Sequence, residues 1–365
     1  VYQRPDGKWC GQVYVLTTDG TEKRKTVYGK TADEVRAKID DMKIKSRRGV
    51  PTADRPWKVG EYLDYWLNEV ARNSIRKTTY AKYETMVRLY LKPGLGRKKL
   101  DRLTVADVQT FLNGKLNGEH SIGTIHVMRN VLSAALSRAM REEILSRNVA
   151  RLATLPANES KRNQPWSADE ARTFLQAARF DPLYPAFVLL LVYGLRRGET
   201  LGLRWMDLDF DEGQIHIRQQ LVRVGKELHQ APVKTRAGNR SLPMVGVVRE
   251  ALEIQRAGQK ILKDRAGESW TETGLVFTTK SGRPIEPRNL ARSFARMIDA
   301  EGLRPIRVHD LRHTAASLLK KLRVAPRDAM EILGHSRISV TMEIYTHGDE
   351  ESRQNAITKV GDLFE

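Results

Sequence analysis

The sequence has one cysteine, Cys10, in 365 residues. A lone thiol can form neither an internal disulfide nor a cysteine-based zinc site, which fits a reducing compartment and leaves Cys10 to packing. Long apolar runs are missing as well. None approaches the ~20 residues a membrane-spanning helix needs, and the N-terminus carries no basic-then-apolar export signal, so the chain reads as cytosolic. Val1 stands where an initiator Met is expected, and the numbering is read as starting after the true start. Acidic residues are too few to balance the basic ones: 44 Asp+Glu face 63 Lys+Arg, for a formal net charge of +19. That excess points to a polyanionic partner, nucleic acid before membrane. Repeats at solenoid periods and low-complexity tracts are absent, so the length implies two or three ordinary domains with sizeable cores.

Residues 1–45 read as a small β-then-α unit. Trp9 to Leu16 and Lys23 to Tyr28 have strand character around a turn at 18–21, and Thr31 with Glu34 makes a helix-start signal. Trp9, Lys23, Arg24 and Lys25 are candidate nucleic-acid contacts there. A linker is expected at 46–56 from its Arg, Gly and Pro content. Residues 57–155 carry helix-period apolar positions in four segments, Val59 to Val70, Thr79 to Leu91, Val105 to Leu116 and Ile122 to Leu145. Arg76, Lys77, Thr78, Lys98 and Lys99 fall in its loops and helix starts, where side chains and helix N-termini hold phosphates. A second linker is expected at 156–165, and Ser167 with Glu170 then opens a mixed region. Helices are expected at 168–179, 184–194, 197–204, 245–263, 287–300, 309–322, 326–333 and 337–346. Alternating strand patterns lie between 214 and 243, with turns at Gly225 and at Ala237 to Asn239. Apolar positions from Ala356 to Phe364 suit a packing tail over 349–365.

Two motifs fail on inspection. The acidic stretch Asp207 to Gly213 has its glycine one place late for a calcium loop, and Arg218 occupies the closing position. The glycine-flanked stretch Gly194 to Thr200 lacks the spacing and lysine of a nucleotide-phosphate loop. A metal site and a nucleoside-triphosphate site are therefore not expected, and no cofactor is. What remains is cationic. His309 and Arg312, three apart on a helix, can reach one anion together. His335 follows Leu333-Gly334 at a helix junction and can project into a cleft, and Tyr345 lies two to three turns further on. Such a set suits attack on a phosphodiester without a metal. His313 and His347 are set aside, since adjacency to Arg312 is expected to turn His313 off the His309 face.

These residues amount to a family resemblance. Tyr193 to Glu199 with Leu203-Arg204-Trp205, then Val233-Lys234-Thr235, His309 to Thr314, Leu333 to His335 and Tyr345 resemble, in order, the catalytic domain of the tyrosine recombinases, the phage-type integrases. The resemblance implies a multidomain, mainly α protein with small β-sheets: a β3α arm-site-binding domain (1–45), a four-helix core-site-binding domain (57–155) and a mixed α+β catalytic domain (166–348). It implies that Tyr345 attacks the scissile phosphate to give a 3′-phosphotyrosine link, with no external energy source. Arg196 and Arg312 would clamp the non-bridging oxygens, and Lys234, in a basic hairpin with the DNA-contact candidates Arg236 and Arg240, would protonate the leaving 5′-oxygen. His309 would accept the tyrosine proton or bond a phosphate oxygen, His335 would donate to one, and Glu199 would orient Arg196.

The implied partners are double-stranded DNA at core and arm sites, a homotetramer on paired sites, a DNA-bending protein and a directionality factor, in a bacterial nucleoid. Two alternatives share these residues. A type IB topoisomerase would relax supercoiled DNA as a monomer, and a non-catalytic DNA-binding protein would be expected to have lost at least one of the six positions.

Overall fold

The computed structural model describes residues 1–17, 21–47, 57–118, 120–157, 164–345 and 358, which fall into two units, Val1–Ser160 and Lys161–Glu365. The turn tip expected at 18–20, most of both linkers, His347, and the tail apart from Thr358 lie outside the described residues. Among those described, no helix is long and apolar enough to cross a membrane.

The first unit opens with an antiparallel sheet ordered β1 (Tyr2–Gln3), β2 (Trp9–Leu16), β3 (Glu22–Gly29), followed by α1 (Ala32–Arg47). The start of α1 follows from its sequence. Thr31 Oγ1 accepts from Glu34 N at 3.2 Å, and the Glu34 carboxylate reaches back to Lys30 N at 2.8 Å. Val13 and Val15 of β2 pack with Val35 and Ile39 of α1, so one sheet face is covered. α1 continues to Arg47, two residues into the segment read as linker.

The helical part follows as α2 (Val59–Tyr65), a π-helical stretch Trp66–Ala71, α3 (Arg72–Ser74), α4 (Lys77–Met86), a second π stretch Val87–Leu91, α5 (Lys92–Leu95), α6 (Val105–Leu116), α7 (Ile122–Arg141) and α8 (Val149–Leu152). Leu63, Leu91, Leu112, Ile125 and Leu132 meet in its core. Pro93 and Gly94 lie within α5, which follows directly on the π stretch Val87–Leu91.

The second unit carries α9 (Ala168–Ala177), α10 (Tyr184–Val192) and α11 (Arg197–Leu201), then β4 (Leu208–Asp209), β5 (Gln214–Ile217), β6 (Gln219–Val224), β7 (Glu227–Pro232) and β8 (Arg240–Pro243). Five helices complete it: α12 (Gly246–Ala266), α13 (Pro287–Ala300), α14 (Asp310–Lys321), α15 (Pro326–Leu333) and α16 (Ile338–Tyr345). The box at Ser167 and Glu170 closes reciprocally, at 3.1 and 2.7 Å. α10 is apolar on every side and is buried from Pro185 to Leu191, as a core helix must be. Phe187 on α10 meets Phe174 and Phe294, which in turn pack on Trp166.

The strands correct one expectation. β7 pairs with β6, whereas β8 pairs with β5 in a sheet ordered β4-β5-β8. Lys234, Arg236 and Arg240 are therefore not on one hairpin. They lie on, or at the end of, a connection that passes from one sheet to the other.

Candidate functional site

The buried α10 aims its C-terminal end at the site. Gly194 follows with φ +59, and a Cβ there would come 2.5 Å from Leu333 Cδ2, so only glycine fits this turn. The turn exposes Gly194 O to Arg312 Nη1 at 2.6 Å and lets Arg196 start α11. Arg312 is 5% exposed, and its Nη2 is buried with no hydrogen-bond partner. Burial first, and the Arg196 guanidinium second, pull Arg312 down to about 9. A buried guanidinium held in that state is stabilised by an incoming anion.

Glu199, 2% exposed, takes Arg196 Nη1 at 2.6 Å and Arg196 N at 3.2 Å, while Arg196 Nη2 donates to Gly334 O at 2.9 Å. Burial pushes the Glu199 carboxyl up, but Arg240 and Arg196 together hold it below the usual range. Arg240 corrects its reading as a DNA contact. Its side chain is 8% exposed and bonded at 2.8 Å to Ile332 O, 3.0 Å to Gly238 O and 3.2 Å to Glu199, so it has no face for DNA.

His335 is placed by a helix stop. Gly334 is left-handed at φ +68, Gly334 N donates to Glu331 O and His335 N to Met330 O, which closes α15 and turns the imidazole inward. His335 is 8% exposed, with Nδ1 2.9 Å from Thr341 Oγ1 on α16. Burial, then Arg312 and Arg196, pull its pKa down to about 4, so the ring is neutral near pH 7. Thr341 went unrecognised in the sequence; a hydroxyl six residues after a histidine has no pattern to mark it.

His309 sits at the N-cap position of α14 and is exposed on one side. The protein packed on its other side, then His313 and Arg312, lower its pKa. His313 corrects the expectation that it turns off the His309 face: its ring meets His309 edge-on at 5.7 Å, because residues four apart share a helix face. Asp310 below them is buried and held by Arg307 at 2.8 and 3.0 Å, which fixes the helix start. Tyr345 ends α16, where Ile344 packs against Ala315, Ala316 and Leu333. Its hydroxyl is buried without a hydrogen-bond partner, and burial pushes the phenol up. Lys234 and Arg236 are exposed on the connection between β7 and β8.

The remaining candidates are divided. Arg76, Lys77 and Thr78 are exposed at the start of α4, and Lys99 is exposed. Lys98 is partly engaged, at 2.8 Å from Asp107, whose carboxyl is held at about 2 by Lys98 and Thr104. In the N-terminal sheet, Trp9 packs on the covered face with Val13 and Val15, where register also puts Lys25 and Lys23; Arg24, opposite Tyr14, is on the open face. The acidic turn is closed by protein: Arg204 binds Asp207 at 2.6 and 2.9 Å. Among the described residues no group of three His, Cys, Asp or Glu is arranged to hold a metal.

Residues 165–352, just over half of the chain, match the profile described as the phage integrase family, and residues 58–116 match that of the phage integrase N-terminal SAM-like domain. A tyrosine recombinase XerC-like protein of Caldanaerobacter subterraneus is 29% identical over 93% of this chain and 92% of its own length. Among solved structures, the Tn1549 transposon integrase in complex with a circular intermediate DNA superposes with TM-score 0.71 at 21% identity, over 83% of this chain and 99% of that one. A lambda integrase tetramer bound to a Holliday junction superposes at 0.59 and 20% identity, over 96% of both chains. The fold is theirs: mainly helical, with small sheets.

Proposed function

The chain belongs to the phage integrase family, and on that premise we propose how its residues carry out the family's reaction. It is a site-specific DNA recombinase of a mobile element, which cleaves and rejoins DNA strands. The observation that carries the site assignment is the buried Arg312, whose Nη2 has no partner, close to Arg196 and to a neutral, buried His335. Three cationic or donor groups with one carboxylate among them favour a bound phosphate.

In this reading Arg196 and Arg312 hold the two non-bridging oxygens. His335 Nδ1 and Thr341 Oγ1 are 2.9 Å apart; with the hydroxyl as donor, the imidazole would keep its proton on Nε2 for a phosphate oxygen. Tyr345 Oη attacks phosphorus as its proton passes to neutral His309. The bond from phosphorus to the 5′-oxygen breaks, and that oxygen takes a proton from Lys234. One phosphodiester replaces another, and rejoining runs the steps in reverse. The raised pKa of the Tyr345 phenol fits a nucleophile that is ionised only during attack.

Residues 57–155 would grip the core site and the N-terminal sheet an arm site, so that one chain bridges distant segments. Four copies would act on paired sites, in the nucleoid. The test is a nicked duplex from the DNA flanking the gene: the native chain should form a covalent 3′ adduct, and Tyr345→Phe none. An adduct that survives Tyr345→Phe would move the nucleophile elsewhere.

A further inference from the structure

We infer that Arg240 is a positioning residue for strand cleavage, acting through Glu199 and the α15 terminus on the phosphate clamp; this rests on the recombinase reading above. Arg240 was expected to touch DNA, yet its guanidinium is buried and committed. Its three bonds go to three separate segments. Nη2 meets Glu199 on α11, Nε meets Ile332 O near the end of α15, and Nη1 meets Gly238 O in the turn that leads into β8.

The bonds close a ring. From Glu199 the path runs to Arg196 Nη1 at 2.6 Å, from Arg196 Nη2 to Gly334 O at 2.9 Å, and back two residues along α15 to Ile332 and Arg240. The guanidinium also lies close to Gly334, where a Cβ would come 2.6 Å from Nη1 and 2.9 Å from Cζ. Gly334 is the residue before His335, and its left-handed turn aims that imidazole. Arg240 therefore fixes both sides of the clamp: the carboxylate that orients Arg196 and the turn that presents His335.

Charge makes the position sensitive. Glu199 is one buried carboxylate between two arginines, with Arg312 beside them, so the cluster is net cationic. Lysine at 240 would keep the charge but reach only one of the three acceptors, and the clamp would lose its geometry. Misplacement on the scale of 1 Å costs on the order of a hundredfold in rate.

The experiment compares Arg240→Lys with the native chain on two nicked half-sites, one with the natural scissile phosphate and one with an uncharged methylphosphonate there. Cleavage is followed at saturating DNA, and half-site affinity is measured separately. We expect Arg240→Lys to cleave the phosphate at least about tenfold more slowly, with affinity within about twofold. The deficit should shrink to about twofold or less on the methylphosphonate, because that substrate lacks the charge the clamp neutralises. An equal deficit on both substrates, or native cleavage by Arg240→Lys, overturns the inference.

Should Arg240→Lys fail to bind the half-site, Arg240→Gln, which leaves Glu199 paired with Arg196, is read by the same ratio. Failure of both variants to bind would make Arg240 a folding residue and overturn its positioning role. Absence of the adduct from the native chain would sink the recombinase reading itself, a result distinct from any of these.

Discussion

In the helical part of the first unit, Lys98 meets Asp107 at 2.8 Å with 46% of the lysine side chain exposed; in the second unit, Arg240 meets Glu199 at 3.2 Å with both side chains almost wholly buried. The shorter contact is the weaker one. A surface pair contributes roughly 0.2–1 kcal/mol and fades with salt, while breaking a buried pair leaves a lone charge and costs roughly 3–5 kcal/mol. Arg76, Lys77 and Lys99 are exposed, as Lys98 is. Arg240 and Arg312 are buried, and Arg196, with 32% of its side chain exposed, is bound to the buried Glu199. On the proposal above, the same residue types would do two jobs, affinity in one unit and geometry in the other.

The sharpest way to break this contrast is to remove cations from each unit in turn. Arg312→Ala should slow cleavage at saturating DNA by about 10²–10³, the loss seen when one aimed donor is taken from a charged transition state. Half-site binding should change little. Arg76→Ala combined with Lys77→Ala should leave the cleavage rate alone, weaken half-site binding, and lower the slope of log affinity on log salt by roughly 2. Titrations at several salt concentrations beside single-turnover cleavage separate the two. Equal slowing of cleavage by both sets would erase the distinction.

A second contrast is in acid. His335 is held at about 4 in the folded protein, against about 6.5 when unfolded. Between those values the unfolded chain binds the extra proton, so the stability this residue contributes is complete above about pH 6.5 and is lost as the pH falls toward 4. His309, also lowered, adds to the same loss. His335→Gln should therefore keep a larger share of its pH 7.5 stability at pH 5 than the native chain does, with the His309 share still lost. Urea midpoints at the two pH values measure this, and an unchanged acid loss in the variant would mean that the imidazole is not held neutral by its burial.

What could be read from the sequence follows the same division. Helix and strand positions in the second unit were legible because apolar spacing and cap residues report backbone structure locally: α15 begins at Pro326, and Ser167 and Glu170 cap α9 as their spacing implies. The fold class was legible through the family resemblance. Register was not. Nothing local reveals that β8 returns to β5 past an intervening hairpin, so Lys234 was given the wrong strand partners and Arg240 the wrong surroundings. Basic residues are the hardest case, since Arg236 and Arg240 look alike in sequence and only long-range contacts make one exposed and the other buried. His313 was a different failure: it is four residues from His309, and the helical period was there to be applied.

The N-terminal sheet yields the smallest effect and tests that last lesson, because Lys23, Arg24 and Lys25 are consecutive yet alternate in facing. Antiparallel register sets Arg24 opposite Tyr14, which is largely exposed, and sets Lys23 and Lys25 opposite Val15 and Val13, which α1 covers. If the open face carries DNA contact, Arg24→Ala and Tyr14→Ala should each weaken binding to a full attachment region by a few-fold, on the order of 1 kcal/mol, and leave binding to an isolated core half-site unchanged. Lys23→Ala should do less than Arg24→Ala on the same DNA. None of the three should shift stability by more than about 0.5 kcal/mol, since all are surface changes. Competition binding with the two DNA lengths makes the comparison directly. A larger effect from Lys23 than from Arg24 would put the DNA on the helix side of the sheet, where side-chain reach past α1, and not strand register, would decide what touches it.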